Sequence, residues 1–180
     1  MRTLLSEADL NEGVEKLASK IDDHYGDRPL TVIAIMTGSL VLFADLIRRL
    51  SMPQRVGVVQ ASSYRTGTTS GELHVDSAMM IDVKGRDVLL VDDIFDTGKT
   101  LDRLCGMMHD FGASSVRTAV LLQKRTEHIV NMRPDFVAFE IPDEFVVGYG
   151  LDYLDMYRNL PYLAILEPVE IAATAAELET

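Results

Sequence analysis

Three aspartates and a short polar run follow one another closely near the middle of the chain. Asp92, Asp93 and Asp96 come directly after an apolar run at residues 88–91, and Thr97, Gly98, Lys99 and Thr100 precede a helical pattern. Free backbone N–H groups, a glycine that permits close approach, two hydroxyl groups and the positive end of a helix dipole together form a cradle for an anion. The second half of the segment therefore predicts a phosphate site.

The three carboxylates cannot share that phosphate, because like charges repel. They can instead accept hydrogen bonds from sugar hydroxyls or bind a divalent cation. The whole segment therefore describes a ligand that carries both a diol and a phosphate, and a ribose 5-phosphate meets this description.

A Walker A loop and a simple helix cap both fit the segment less well. A Walker A loop, GxxxxGK[ST], needs a glycine five residues before Gly98, where this chain has Asp93. The aspartates could cap the following helix beside an ordinary turn, and for any one of them alone that role would be favoured. So dense a cluster of acids at the end of a buried strand favours a binding site.

Helical and strand patterns alternate along the chain. Ser6 and Asp9 form a capping-box pattern before an amphipathic helix predicted at residues 7–23. Apolar runs predict strands at 30–36, 88–91, 116–122, 136–141 and 163–166, and helical spacing predicts further helices over 43–50 and 101–108. This alternation is typical of a mainly parallel, twisted sheet with helices on both faces, so the predicted fold class is α/β.

A polar stretch rich in Ser, Thr and Gly, residues 62–71, follows neither period. It predicts a long mobile loop, and such loops often close over active sites. The chain has 180 residues, which favours a single domain over residues 1–180. The Ala-rich end after Ile171 is expected to be a frayed tail.

The composition disfavours several kinds of partner. A formal net charge of −11 predicts no nucleic-acid or anionic-lipid surface, and no apolar run approaches the roughly 20 residues that span a bilayer. A single cysteine, Cys105, and the absence of a secretory pattern predict a cytoplasmic location. Cys105 lies on an apolar helix stripe and is expected in the core, and the four histidines lack metal-ligand spacing.

The segment VLLVDDIFDTGKT at 88–100 resembles the phosphoribosyl pyrophosphate motif of type I phosphoribosyltransferases. MTGS after the first strand, SSY at the start of the polar loop, KR after Leu122 and PDFVAFEIPDEFVVGYGLDY resemble the hypoxanthine-guanine branch, over most of residues 7–166. The resemblance implies a Rossmann-like core with a small hood region. It also implies purine salvage, in which Mg²⁺-dependent transfer from phosphoribosyl pyrophosphate to hypoxanthine or guanine releases pyrophosphate, in a homodimer or a homotetramer.

The same resemblance implies roles for individual residues. Asp92 and Asp93 are expected to hold the ribose hydroxyls and residues 96–100 the 5-phosphate, and Asp96 is expected to be the general base for the purine. An acid at position 96 favours a 6-oxopurine, because adenine and orotate relatives usually lack it. The remaining expectations are Lys124, Phe145, Val146 and Asp152 at the purine, Thr37, Gly38 and Arg158 at the pyrophosphate, Ser63 and Tyr64 in the closing loop, and Asp152, Asp92 and Asp93 at the metal.

Two residues depart from the family pattern. Many relatives have Lys where this chain has Thr37, and commonly Glu where it has Asp92. Asp92 is expected to do the same work with a shorter side chain, while Thr37 can offer only backbone groups and a hydroxyl to the pyrophosphate. A cis peptide between Met36 and Thr37 is expected, as in the family.

Two functions of other classes share parts of this pattern. A regulator that senses phosphoribosyl pyrophosphate while binding RNA or DNA needs a basic face, which the net charge of −11 disfavours. A phosphoacceptor signalling module would have its acidic pair after the first strand, without a phosphate loop. The sequence leaves open the preference among hypoxanthine, guanine and xanthine, and the choice between dimer and tetramer.

Overall fold

The structure is a computed structural model that describes residues 1–63, 73–76, 81–126 and 129–177. Its helices are α1 (Glu7–Tyr25), α2 (Leu40–Ile47), α3 (Lys99–Asp110) and α4 (Pro168–Glu177). Its strands are β1 (Arg2–Leu5), β2 (Leu30–Met36), β3 (Gln54–Ser63), β4 (Leu73–Asp76), β5 (Asp87–Phe95), β6 (Ser115–Lys124), β7 (Phe136–Ile141), β8 (Val146–Val147) and β9 (Leu163–Ile165).

The main sheet has the strand order β4-β3-β2-β5-β6-β7. Strands β3, β2, β5, β6 and β7 run parallel to one another, and β4 is added antiparallel at one edge. The order runs outwards in both directions from β2 and β5, so the segments that follow these two strands lie side by side at the carboxyl edge of the sheet. Ligands bind at this position in open α/β sheets. The α/β prediction is confirmed.

Both faces of the sheet are covered, because successive strand residues point to opposite sides. One core cluster contains Val32, Ala34, Leu89 and Val91 with the buried sides of α1 and α2, and the other contains Ile33, Ile35, Val88 and Leu90 with the buried side of α3. Full burial of a leucine such as Leu17 contributes about 1.5–3 kcal/mol. The continuous apolar runs in the sequence reflect this two-sided burial.

Helix α1 begins as the sequence predicts. The Ser6 side chain accepts a hydrogen bond from the backbone N–H of Asp9, and the Asp9 carboxylate accepts one from the backbone N–H of Ser6. This capping box satisfies N–H groups that the first turn leaves without partners. The helix continues to Tyr25, two residues beyond the predicted end, and Gly26 caps it with a φ of 56°.

A small antiparallel sheet with the order β1-β9-β8, together with the turns at residues 148–162, forms the hood. The prediction of a frayed tail after Ile171 is wrong, because residues up to Glu177 belong to α4. The Tyr153 hydroxyl donates to the carbonyl of Ile171, and the Tyr157 hydroxyl bonds the Thr174 hydroxyl at 2.8 Å. These bonds attach α4 to the hood.

The side chain of Cys105 is partly buried against the core cluster beneath α3. Burial raises the pKa of its thiol to about 11, so the thiol is neutral near pH 7. Cys105 is a packing residue, as predicted. In the described ranges, no helix has both the length and the apolar composition needed to cross a bilayer.

Candidate active site

The acid pair lies inside β5, not just after it as the sequence predicts. Strand β5 pairs with β6 as far as Phe95, and Asp92 lies opposite Val120. Asp92 is therefore only 8% exposed. Its carboxylate accepts a 3.0 Å hydrogen bond from the backbone N–H of Asp93, whose own carboxylate accepts one of 2.8 Å from Ile94.

Two adjacent buried carboxylates are costly to ionise. Burial raises the pKa of Asp92 well above its usual 3.8, and the charge of Asp93 raises it further. Burial also raises the pKa of Asp93, against opposing hydrogen bonds and the nearby charge of Arg158. The pair is thus prepared for partners that compensate negative charge, such as donor hydroxyls or a cation.

We expect Asp92→Asn to melt a few degrees above the parent near pH 7, because the substitution removes a buried charge. The pKa of this carboxyl group is higher in the folded state than its usual value of 3.8. Its contribution to stability is therefore complete below pH 3.8 and is lost as the pH rises through the folded-state pKa. The advantage of the variant should therefore vanish near pH 3. Calorimetry across pH tests this, with the exposed Asp110→Asn as matched control, and equal melting of parent and Asp92→Asn at every pH would contradict it.

The predicted phosphate loop closes a small pocket of about 60 Å³ whose lining includes Asp92, Asp96, Thr97, Gly98 and Thr100. Gly98 is the N-cap of α3 at a φ of 81°, and no side chain caps the helix. A capping role of the aspartates therefore does not hold for α3. The start of α3 therefore lies at this pocket. The backbone N–H groups in the first turn of a helix have no partner within the helix, so a phosphate is favoured there.

The loop after β2 lies against the acid pair. The Met36–Thr37 peptide is cis, as expected. Gly38 approaches Asp93 so closely that a Cβ on Gly38 would lie 1.7 Å from the Asp93 Oδ2. Any larger residue at position 38 would displace this carboxylate, so the close approach explains the glycine of MTGS. Thr37 is exposed beside it.

Lys124, the last residue of β6, comes next to the phosphate loop. Its ammonium lies 3.7 Å from the Asp96 Oδ2 and donates a 3.0 Å hydrogen bond to Asp143. The Lys124 side chain is 13% exposed, whereas that of Asp96 is 51% exposed. The structure thus joins the predicted purine contact to the predicted general base. Asp143 was not among the predicted residues, and its only sequence signal is its place in the IPDEF turn.

The hood supplies the remaining predicted residues. Phe145 is 43% exposed with its ring edge-on to Tyr153, at a centroid distance of 5.5 Å, whereas Val146 is buried in β8. Asp152 forms an ion pair with the Arg158 guanidinium at 2.8 Å and accepts a 2.9 Å hydrogen bond from the Asp155 backbone N–H. An exposed aromatic face is available to a planar ligand, while Asp152 and Arg158 are joined to each other.

The structure does not bring the three predicted metal ligands into one cluster. Among the described residues there is no group of three or more His, Cys, Asp or Glu side chains that could hold a metal ion. Asp152 is paired with Arg158, which leaves Asp92 and Asp93 as the acid pair of the site. Two carboxylates suit Mg²⁺, which usually takes one or two from protein and completes its shell with water and substrate oxygens.

Two residues that connect the hood to the loop after β2 and to α2 were missed from sequence. The carbonyl of Gly38 lies 2.2 Å from where a Cβ of Gly150 would be, and Gly150 has a φ of 102°. The neighbouring Tyr149 is buried and donates a 2.6 Å hydrogen bond to Asp45 of α2. Burial, and after it this bond, raises the pKa of the tyrosine. The GYG triplet at 148–150 was the available signal, since closely spaced glycines often mark close backbone approaches.

The predicted closing loop is described only at its start. Ser63 is the last residue of β3 and pairs with Leu73 of β4. Tyr64 and residues 65–72 lie outside the described residues.

Comparisons with known proteins identify the family of the chain. The family model of the phosphoribosyl transferase domain matches residues 3–154. The hypoxanthine-guanine phosphoribosyltransferase of Streptococcus pneumoniae is 38% identical over 167 residues, which cover 92% of this chain and 93% of the relative. The chain therefore belongs to the hypoxanthine-guanine phosphoribosyltransferase family of phosphoribosyl transferase domains.

Solved structures are similar over nearly the whole chain. A hypoxanthine-guanine phosphoribosyltransferase of Bacillus anthracis has a TM-score of 0.87 at 36% identity, and the match covers 93% of this chain and 99% of that one. The hypoxanthine phosphoribosyl transferase of Trypanosoma cruzi has a TM-score of 0.90 at 36% identity, and the match covers 98% of this chain and 96% of that one.

Proposed function

We propose that this chain transfers the 5-phosphoribosyl group from phosphoribosyl pyrophosphate to hypoxanthine or guanine, forming IMP or GMP and pyrophosphate. The activity is that of purine salvage enzymes and matches the names of its relatives. One observation supports it above the others. The Lys124 ammonium lies 3.7 Å from Asp96, at the mouth of the phosphate loop, so a cationic donor and an acid are held together beside the ribose phosphate site.

A 6-oxopurine needs such a pair. Its carbonyl oxygen accepts hydrogen bonds, and Lys124 offers a point charge with three donors. Its ring nitrogen must lose a proton as the bond to the sugar forms, and Asp96 offers a carboxylate to receive it. Phe145 offers an aromatic face against which the purine ring can stack. In this assignment the backbone of Val146, the residue after Phe145, contacts the base.

The sugar and its leaving group occupy the other side of the site. The ribose hydroxyls donate to Asp92 and Asp93, and the 5-phosphate accepts from the backbone N–H groups of residues 96–100. The pyrophosphate lies by the backbone at Thr37 and Gly38, with Arg158 near it. Because the site holds the sugar and the base next to each other, their reaction no longer depends on a bimolecular encounter. Such positioning can lower the barrier by about 7–11 kcal/mol.

The acid pair would hold Mg²⁺ together with substrate oxygens. When bound, the ion neutralises charge on the departing pyrophosphate. The raised pKa values of Asp92 and Asp93 fit this role. Burial raises both values, and the charge of Asp93 also raises that of Asp92, so a bound cation would stabilise the ionised pair. We place Asp152 at the Arg158 side of the site, where its carboxylate orients the guanidinium.

An assay that offers hypoxanthine, guanine, xanthine or adenine with phosphoribosyl pyrophosphate and Mg²⁺ tests the proposal. We expect nucleotide from hypoxanthine or guanine and none from adenine, since adenine has no 6-oxo group for Lys124. Product with adenine alone would overturn the assignment of the base.

Lys124→Ala should lower kcat/KM for hypoxanthine by about 10- to 150-fold, since a hydrogen bond to a charged group is worth about 1.5–3 kcal/mol. Arg125→Ala is the matched control, because the neighbouring side chain is 68% exposed and pairs with Glu140. Steady-state kinetics of both variants measure the difference. Equal losses in the two variants would place Lys124 outside the base site.

We also propose that the protein works in the cytoplasm as a homodimer or homotetramer. Exposed apolar side chains such as Leu40 and Val56, 50% and 49% exposed, support an assembly. For the Trypanosoma cruzi relative, a role of the C-terminal region in oligomeric state and enzymatic activity is described. Light scattering on the purified protein distinguishes monomer, dimer and tetramer.

A further inference from the structure

A second, larger cavity lies at the opposite edge of the main sheet. It has a volume of about 590 Å³ and is lined by residues at the amino ends of β2, β3 and β5 and just before β6. Along β5, Asp87 at this edge is five residues from Asp92, a separation of roughly 17 Å at 3.3 Å per residue. The cavity therefore shares no residue with the candidate active site, and its volume is typical of small-molecule pockets.

The cavity is basic, although the protein is acidic. Arg28, Arg55 and Arg86 line it with a single acid, Asp87, in a chain with a formal net charge of −11. Arg28 is fixed in place, because its guanidinium donates to the carbonyls of Tyr25 and His24 and lies 3.5 Å from Asp87. The lining therefore has two further positive charges, those of Arg55 and Arg86.

Those two charges are free to bind a ligand. Within the described part of the chain, neither Arg55 nor Arg86 forms an ion pair or a side-chain hydrogen bond. The Nε of Arg86 is buried without a hydrogen-bond partner, and so is the Oε1 of Gln54. Both atoms lie beneath the accessible surface of the cavity wall, so a ligand in the cavity would meet the outer guanidinium nitrogens of the two arginines.

We infer that the cavity binds a phosphorylated small molecule of nucleotide size. Phosphate oxygens accept from Arg55 and Arg86, whose planar guanidinium groups suit two-point contact with phosphate. The apolar surfaces of Pro29 and Pro53 contact the remainder of the ligand. The inference is independent of the proposed activity, because the site lies at the other end of the sheet.

Equilibrium dialysis with labelled UTP tests it, using protein saturated with GMP, the proposed product, to fill the active site. UTP supplies phosphates, sugar hydroxyls and a base N–H but is not a purine nucleotide. We expect one UTP bound per chain, with Arg55→Ala weakening it at least about tenfold. Arg55 is exposed, so its removal does not threaten the fold, and Arg103→Ala removes the same charge from the exposed side of α3.

Uridine, which lacks the phosphates, should not bind, and transferase activity should be unchanged in Arg55→Ala. If UTP bound to the protein without GMP but not to the protein saturated with GMP, the nucleotide would belong to the active site, and the inference would be overturned. So would the absence of UTP binding, an unchanged affinity in Arg55→Ala, or equal losses in Arg55→Ala and Arg103→Ala.

Discussion

Asp96→Asn should lower turnover by about 10² to 10⁴ while the affinity for phosphoribosyl pyrophosphate changes little. The amide keeps the shape and hydrogen bonding of the side chain but cannot accept the purine proton, and loss of a general base has an effect of this size. Asp96 is 51% exposed at the mouth of the phosphate pocket with Lys124 beside it, so the substitution removes no buried packing.

Thermal melting and pre-steady-state binding must accompany these kinetics, because an unstable variant can mimic a catalytic loss. Asp102→Asn, in the first turn of α3, is the matched control, as it changes one acid on the same helix start. If a stable Asp96→Asn protein turned over at the parental rate, the base would have to be another acid, with Asp152 the next candidate.

Removal of Mg²⁺ should abolish nucleotide formation, with a loss of at least about 10³-fold in rate. Metal stabilisation of a charged leaving group supplies several kcal/mol, and each 1.36 kcal/mol is a factor of ten. In this chain the acid pair would otherwise face the pyrophosphate with two unscreened carboxylates. The measurement is the rate after dialysis against EDTA, followed by titration with MgCl₂.

Two controls isolate the metal from other effects of dialysis. Sodium chloride of equal ionic strength should not restore the rate, and the melting temperature in EDTA should show that the protein is still folded. Asp93→Asn should raise the Mg²⁺ concentration needed for half-maximal rate. Full activity in excess EDTA would exclude the proposed metal dependence.

The local parts of the fold could be predicted from sequence because their signals are local. The capping box of α1, the two-sided burial of β2 and β5 and the turn at Gly98 each depend on a few neighbouring residues. The strand β3 was not predicted, because its mixed sequence becomes a strand through pairing with β2 and β4. The helix α4 was mistaken for a tail because its bonds to Tyr153 and Tyr157 are distant in sequence.

By itself the sequence predicted the class of ligand at the candidate active site. An acid pair, a third acid and a predicted phosphate loop stand within one segment, so covalent spacing alone keeps them together. Only the tertiary structure decided that Lys124 meets Asp96, that Gly38 meets Asp93 and that Asp152 pairs with Arg158. The arginine-lined cavity is also tertiary, because parallel strands bring their amino ends together from distant parts of the chain.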